Sequence, residues 1–247
     1  MTRQGFWIVA LLAGIGHALL SASSMADEKP NDEPEKKTIE ETLETIVFIP
    51  HDVGAPGVTD AGGVRSITAL PNLEPLAPSR LSRSLSPAPM LYWYLSKGTE
   101  MPVRFTLLAE DPAITDPILD VELGIYPNAG IYAVPLEGYG IMLEDDQRYS
   151  WSVALLSADG DISSTMAQTW FEHNASADTT QFISTLAPVD QIAYLARNGY
   201  WYDAIDTLSQ RLKTDDRSAP WREIRAHLLD QVGLKKPANF DRQQGAR

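Results

Sequence analysis

The sequence predicts an α+β protein in which an N-terminal antiparallel β-sandwich is followed by a small C-terminal helical bundle. Short segments between residues 89 and 173 alternate apolar and polar residues with a period of two, which is typical of antiparallel strands. Between residues 188 and 232, apolar residues instead recur at helical spacing. The 247-residue chain contains no cysteine, so both parts must be stabilised by a buried core without disulfides.

Residues 1–26 are predicted to be a cleavable export signal. Arg3 supplies a short positive region, residues 6–20 form an apolar run of the length of a signal-peptide core, and small residues lead up to Ala26. A transmembrane anchor would need about 20 apolar residues, so cleavage before Asp27 is favoured over a retained anchor. The mature protein is therefore expected in the periplasm or outside the cell, with no membrane anchor.

Residues 27–60 are predicted to form a flexible acidic leader. The stretch from Asp27 to Thr45 is rich in charge and proline, and it has too few apolar residues to bury a core of its own. The apolar patch ETIVFIP follows and is compatible with a short strand. Glycine and proline then return, which indicates a loop.

The β-sandwich is predicted to occupy residues 61–175, with about six strands. In MLYWYL the alternation places Trp93 on one face and the pair Tyr92 and Tyr94 on the other. In RYSWSVALL it directs Trp151 towards the core. The other predicted strands are PVRFTLLAE, ILDVELG, GIYAVPL and SSTMAQTWFEH.

Tyr149 begins the strand YSWSV, and five residues separate it from Leu143. This arrangement resembles the tyrosine corner of immunoglobulin-like and fibronectin type III sandwiches, in which the tyrosine hydroxyl anchors the corner before the strand. In such a fold, Trp93 would be the core tryptophan of the facing strand.

Residues 176–234 are predicted to be helical, and residues 235–247 to be a polar tail. Pro188 suits a first helical turn, Gly199 suits a left-handed cap, Ser218 suits an N-cap and Gly233 suits a helix end. The predicted apolar stripe of the second helix comprises Trp201, Ala204, Ile205, Leu208 and Leu212, and that of the third begins at Trp221.

The segment around Gly199 and Ala204 resembles the turn and second helix of a tetratricopeptide repeat, where a small residue lets two helices approach closely. Only one such unit is visible, and arrays of this kind usually need three. We therefore expect a small bundle docked on the sandwich, with Trp201 buried in the packing between them.

The order of several motifs is also informative: AGGVR, LxxLxP, YWYL, GIYAVPL, LEDDQRYSW, GYWYDAI and WREIRAHLL. In this order they resemble the domain-of-unknown-function family 928 of exported bacterial proteins, from Gly62 to Val232. The resemblance implies a β-rich half joined to a C-terminal helical segment, with no assigned activity. Some members carry a cysteine near the position of Ser66, and because this chain has none, no redox role is carried over.

Composition and motifs argue against several classes of function. The net charge of −13, one unit more negative once Arg3 is removed, disfavours binding to nucleic acid or anionic lipid. The histidines lie outside metal-ligand spacing, and no phosphate-binding, dinucleotide or nucleophile motif is present. We predict no cofactor, metal or catalytic residue. An enzyme that brings His173 or His227 to a distant serine and aspartate stays open as an alternative.

Two groups of residues are candidates for binding through charge. Arg65, Arg80 and Arg83 form a basic island in an acidic chain and could hold an anion or an acidic partner, although solvated loop arginines are more common. Asp203 stands at a helix start, where its charge interacts favourably with the helix dipole. That role accounts for Asp203 without a ligand.

Aromatic residues form the remaining candidate surface, and they decide between two functions. Tyr200 and Tyr202 flank the helical stripe, while the pair Tyr92 and Tyr94 could form a platform or pack under the helices. We predict a module that binds another envelope protein through these aromatics and the arginines. The alternative is a carbohydrate-binding module using Tyr92, Tyr94 and Trp170. Burial of the tyrosine pair against the helices would exclude sugar binding through it.

Overall fold

The fold is derived from a computed structural model. The predicted signal peptide, the leader before residue 38 and Arg65 lie outside the residues that it describes. Among the described residues, no helix is both long and apolar enough to cross a bilayer. The structure describes residues 38–51, 58–60, 70–111, 113–214 and 218–246.

Strands dominate the first part of the described chain and helices the second, so the protein is α+β as predicted. The strands are β1 (Val58–Asp60), β2 (Leu73–Pro75), β3 (Ser82–Ser84), β4 (Met90–Leu95), β5 (Val103–Ala109), β6 (Leu119–Gly124), β7 (Gly130–Pro135), β8 (Gln147–Leu156) and β9 (Ile162–His173). The helices are α1 (Ile39–Thr45), α2 (Ala177–Ser184), α3 (Pro188–Arg197), α4 (Trp201–Thr214), α5 (Ser218–Gln231) and α6 (Lys235–Gly245).

The strands form two sheets. The six-stranded sheet has the order β1-β9-β8-β5-β6, with β3 running parallel to the end of β9. The three-stranded sheet has the order β2-β4-β7 and is antiparallel throughout. The six segments with period-two alternation are β4 to β9, which confirms those strand predictions. The short strands β1, β2 and β3 were not predicted, because three residues are too few to show a period.

Each sheet contributes a fully buried tryptophan to the core. Trp93 of the three-stranded sheet is 0% exposed and packs edge-on against Tyr126, with ring centroids 5.0 Å apart. Trp151 of the six-stranded sheet is 1% exposed. At the start of β8, the Tyr149 hydroxyl accepts a hydrogen bond of 2.8 Å from the backbone N–H of Glu144. Such a bond is the one expected of a tyrosine corner, while an immunoglobulin-like topology stays a prediction.

Helices α3 and α4 meet at Gly199, as the sequence predicts. Gly199 adopts a φ of +78°, and the next residue, Tyr200, donates its backbone N–H to the carbonyl of Leu195. Trp201, Ala204, Ile205 and Leu208 are at most 1% exposed, so most of the predicted stripe of α4 faces the core, while Leu212 at its end is only partly buried. Helix α4 contacts β3 of one sheet and β4 of the other. The similarity of this helix pair to a tetratricopeptide unit stays a prediction.

Replacing Gly199 with alanine is expected to destabilise the protein by about 1–2 kcal/mol or more, because an L-residue is strained at this φ. In addition, the new Cβ atom would lie 3.2 Å from the Cβ of His51. Urea unfolding of both proteins measures the difference. Gly160 is a matched control, since it has a φ of +81° but nothing within 4 Å of its would-be Cβ. Equal losses at the two positions would show that the contact with His51 adds nothing.

The structure corrects the prediction of a flexible leader for residues 38–51. Thr38 and Glu41 form a reciprocal capping box that starts α1. The patch ETIVFIP is not a strand; instead, the Gln231 side chain accepts from the N–H of Phe48 and donates to the carbonyl of Ile46, each at 2.8 Å. Ile46 is 0% exposed. These partners come from almost two hundred residues away, so local composition could not reveal them.

The structure also corrects the prediction of a polar tail, because residues 235–245 form helix α6. Ala238 and Asp241 are both 0% exposed, and the ring of Phe240 lies 5.6 Å from that of Tyr94 in β4. Helix α2, which is capped by Ser176, lies within the segment predicted to be helical, although no separate helix boundaries were predicted there. Few apolar residues mark α6, because one of its two fully buried residues is an aspartate.

Candidate functional site

The predicted tyrosine platform is buried beneath the helices. Tyr92 is 5% exposed, and its hydroxyl donates a 2.7 Å hydrogen bond to Asp206 of α4. Burial and the neighbouring Asp206 carboxylate raise the pKa of Tyr92 well above its usual range. Tyr94 is 7% exposed and packs on Phe240. These contacts exclude sugar binding through the tyrosine pair, and Trp170 lies away from them on β9 of the other sheet.

The two tyrosines beside Trp201 are also packing residues rather than a binding surface, which corrects that prediction. Tyr202 is 2% exposed, and its hydroxyl accepts from the indole N–H of Trp151 at 3.2 Å. Its ring lies 4.9 Å from that of Phe171 on β9. Tyr200 is 6% exposed and lies under the guanidinium of Arg83, 4.7 Å away. Helix α4 is thereby attached to the six-stranded sheet through aromatic contacts.

The described residues do not bring the predicted arginines together into one basic site. Arg83 donates to the carbonyl of Asn198 at 2.8 Å, and its backbone N–H donates to the carbonyl of Gly199 at 2.9 Å. Arg83 therefore satisfies the C-terminal end of α3, where a positive charge is favourable. Arg80 is exposed, and Arg65 lies outside the described residues. Arg83 has a structural role in place of the predicted anion contact.

Trp221, which was predicted to begin the apolar stripe of the third helix, lies on α5 and is partly buried against the core.

Asp203 ties α4 to the loop that follows β3. Its carboxylate accepts the backbone N–H groups of Leu85 and Ser86, at 2.8 and 3.2 Å. Burial raises the pKa of Asp203 to about 6, although the two hydrogen bonds lower it. The nearby Asp206 carboxylate adds a smaller upward effect on the same pKa. A cleft of about 270 Å³ lies beside both carboxylates and is also lined by Glu137.

The carboxylates beside this cleft already have hydrogen-bond partners within the protein. Both oxygens of Asp203 accept main-chain N–H groups, while Asp206 accepts from Tyr92 and, at 3.1 Å, from Gln210. His173, a candidate in the enzyme alternative, is 2% exposed, and its Nδ1 lies 3.1 Å from the carbonyl oxygen of Ser84. Within the described ranges, no group of three or more histidine, aspartate or glutamate residues could hold a metal ion.

The raised pKa of Asp203 predicts a pH-dependent stability. Because the folded pKa is about 6 and the reference value is 3.8, the native state binds more protons than the unfolded state between these values. Stability from this group is therefore full below pH 4 and falls as pH rises to about 6. Asparagine does not titrate, so Asp203→Asn lacks this loss. Between pH 4 and pH 7, the free energy of unfolding of the variant minus that of wild type should therefore rise by on the order of 2–3 kcal/mol.

Urea unfolding at a series of pH values measures this gain. Asp116→Asn is the matched control, since it removes an exposed carboxylate from a loop. If the profiles of wild type and Asp203→Asn run parallel from pH 4 to pH 7, the Asp203 carboxyl does not titrate in this range.

A second cavity, which the sequence did not predict, lies between β7 and the last three helices. Its volume is about 380 Å³, and we call it the β7 groove. Strand β7 pairs with β4 on one side and has no strand partner on the other among the described residues. The groove is lined by Tyr92, Ala129, Gly130, Ile131, Tyr132, Ser209, Leu212, Lys213, Arg222, Arg225, Phe240 and Gln244.

Two arginines share one carboxylate at the floor of the β7 groove. Arg225 is 5% exposed and binds Asp241 through two hydrogen bonds of 2.6 and 2.7 Å, with a third bond of 2.8 Å to Ser209. Arg222 reaches the same carboxylate at 3.4 Å, and its Nε atom is buried without a hydrogen-bond partner. Lys213 is exposed at the rim. The groove therefore carries excess positive charge in a chain whose net charge is −13.

One sequence signal could have located part of this groove. Arg222 and Arg225 are three residues apart in WREIRAHLL, so they share one face of a helix. Two positive charges on a partly apolar face need an anion, either from the protein or from a ligand. The matching carboxylate, Asp241, could not be identified, since it lies in the segment interpreted as a tail.

The described residues thus define an α+β protein whose helices are locked to two sheets by buried aromatics, leaving a cationic groove beside a free strand edge. The chain belongs to the DUF928 family, a domain of unknown function, whose family model matches residues 60–241. This confirms the family resemblance inferred from the motifs.

Solved structures add little to this assignment. Astrotactin-2, described as a vertebrate-specific, perforin-like membrane protein involved in neuronal development, is 15% identical with a TM-score of 0.31. The match covers 79% of this chain and 40% of that one. A multi-domain immunophilin from Arabidopsis thaliana is 10% identical with a TM-score of 0.17, covering 75% of this chain and all of the other. No curated protein matches the chain.

Proposed function

We propose that this protein is an exported interaction module of the cell envelope, and that the β7 groove is where it binds another protein. The observation that carries the proposal is the combination, in one cavity, of a strand edge without a strand partner among the described residues and two arginines that share a single carboxylate. The predicted signal peptide supports export. In this proposal the binding surface lies at the β7 groove, since the tyrosines first considered for it are buried.

The walls of the β7 groove are held by bonds between different elements, which favours a preformed site. Tyr92 is fixed by Asp206, and Arg225 is fixed by Asp241 and Ser209. Side chains that are already immobilised lose little conformational entropy on binding. We propose that the sheets form a sandwich-like support and that α3 and α4 act as one tetratricopeptide-like unit, so that the groove is rigid before the partner arrives.

The size of the groove indicates which kind of partner it suits. A volume of about 380 Å³ is at the lower end for ligand pockets and accommodates a few residues of a partner. A stable globular interface normally buries about 800 Å² on each side, more than this groove alone offers. We therefore infer that a short segment of the partner enters the groove and that the complex is transient.

Photo-crosslinking in the envelope tests the proposal. A photoreactive amino acid replaces Lys213 at the groove rim in one variant, and Asp178 on α2 in the matched control, both positions being exposed. We expect a discrete crosslinked protein from position 213 only, and its loss when Arg222→Gln is added. No adduct, or the same adduct from both positions, would contradict binding at the groove.

Export is tested separately on the same cells. The mature protein is expected in the periplasmic or secreted fraction with Asp27 at its N-terminus, because the signal is cut after Ala26. Mass spectrometry of the purified protein gives that terminus. An intact N-terminus on a cytoplasmic protein would contradict the localisation and would leave the groove experiment unaffected.

A further inference from the structure

We propose that the β7 groove binds an extended acidic peptide segment, which adds as a strand to the free edge of β7 and places a carboxylate on Arg222. The inference rests on the proposed function and specifies its ligand. Strand addition of this kind draws its affinity from main-chain hydrogen bonds and its specificity from side-chain pockets.

The backbone of β7 is the first part of the argument. Four consecutive residues, 129–132, line the groove, although alternate side chains of a strand point to opposite faces. Ala129 precedes the strand and Gly130 has no side chain, but Ile131 and Tyr132 belong to opposite faces of β7, so the groove reaches the edge of the strand at its start. Residues 130–135 all pair with β4, and the described residues provide no backbone partner for the opposite edge of 130–134. Unpaired N–H and C=O groups are thus available at that edge.

The charge of Arg222 is the second part. Asp241 is fully buried and is already held by two short hydrogen bonds from Arg225. Arg222 pairs with the same carboxylate at 3.4 Å, so one negative charge serves two guanidinium groups and an excess of one positive charge remains. The Nε atom of Arg222 is buried, but the side chain as a whole is 24% exposed and lines the groove, so its terminal nitrogens can meet a carboxylate that enters there. A carboxylate from outside the chain would satisfy this group.

Apolar groups beside Arg222 define the rest of the ligand. Leu212, Phe240 and Ile131 line the groove and are only partly buried. An added strand turns alternate side chains to the same face, so one acidic and one apolar residue two positions apart can both enter. A nucleic acid would suit this site poorly, because the chain as a whole has a net charge of −13 and would repel an extended polyanion beyond the groove.

Peptide selection tests the inference. A phage-displayed library of linear heptapeptides is selected on the full chain, with the Arg222→Gln variant as counter-selection. We expect enrichment of sequences with aspartate or glutamate two positions from an apolar residue. The best peptide should bind Arg222→Gln about tenfold more weakly, and Arg148→Gln, which breaks an exposed ion pair with Glu172 on the other sheet, as tightly as wild type. Absence of enrichment would overturn the inference.

Strand addition has its own signature on the peptide side, which does not depend on the stability of any variant. N-methylation at alternate residues in one phase should abolish binding, while the other phase should leave it unchanged, since only alternate N–H groups face β7. Hydrogen exchange of the backbone amides of residues 130–133 should slow on binding. Equal binding of both phases, or competition by inorganic phosphate at equal affinity, would show an anion site without strand addition.

The two proposals fail differently. If photo-crosslinking at position 213 captures a partner and the selected peptide does not compete for it, the interaction module stands and the strand-addition mode is wrong. If the peptide binds in one N-methylation phase but no envelope protein is captured, the groove chemistry stands and the envelope function is wrong.

Discussion

Replacing Trp201 with alanine is expected to lower the free energy of unfolding by about 3–5 kcal/mol. Trp201 is 0% exposed, and its indole N–H donates a 2.6 Å hydrogen bond to the carbonyl of Leu76. Its ring also packs edge-on against Phe48, with centroids 4.8 Å apart. The substitution leaves a cavity and an unsatisfied carbonyl where α4, the segment after β2 and the segment after α1 meet.

Chemical denaturation followed by circular dichroism measures this loss. Phe182→Ala is the control, because Phe182 is an aromatic residue that is 48% exposed on α2. We expect the control to lose less than half as much. A loss of under 1 kcal/mol in Trp201→Ala would mean that α4 is held mainly by other contacts, such as the bond between Trp151 and Tyr202.

Replacing Asp241 with alanine is expected to cost about 3–5 kcal/mol, because Arg225 would remain buried without its carboxylate. Asp241 is 0% exposed and the Arg225 side chain is 6% exposed, so water cannot take over the lost hydrogen bonds. The pair joins α5 to α6. Its loss should therefore release the C-terminal helix first, and hydrogen exchange in residues 235–245 should rise more than elsewhere.

A double substitution separates the worth of the pair from the cost of breaking it. Arg225→Met with Asp241→Leu removes both charges, and we expect it to be more stable than Asp241→Ala by at least 2 kcal/mol. Asp230→Ala is the control, since it removes a partly exposed ion pair with Arg242 and should cost about 1 kcal/mol or less. If Asp241→Ala is no worse than Asp230→Ala, the Arg225 charge is not buried in solution.

The candidate binding site shows where inference from sequence was insufficient. Tyr92 and Tyr94 alternate with Trp93 in β4, and alternation alone does not tell whether the second face of a strand meets water or another layer. Here both faces are buried, because α4 and α6 cover the side that carries the tyrosines. The arginine signal failed for a related reason, since Arg83 had a partner at the end of α3, more than a hundred residues away.

Local patterns by themselves determined a large part of this protein. Strands β4 to β9, the helices α3 to α5 and the turn at Gly199 all depend on side-chain periodicity or on backbone geometry within a few residues, and both are written in consecutive letters. The family assignment also followed from short motifs in a fixed order.

Only the tertiary structure decided the roles of α1, α6 and the β7 groove. Gln231 fixes the segment after α1, and Arg225 gives the buried Asp241 its counter-charge. Arg222 shares that carboxylate with Arg225 and lies beside the unpaired edge of β7. Each depends on pairing between polar groups far apart in the chain. A polar side chain looks the same in sequence whether it faces water, a buried partner or a ligand, because its energy depends on what surrounds it once the chain has folded.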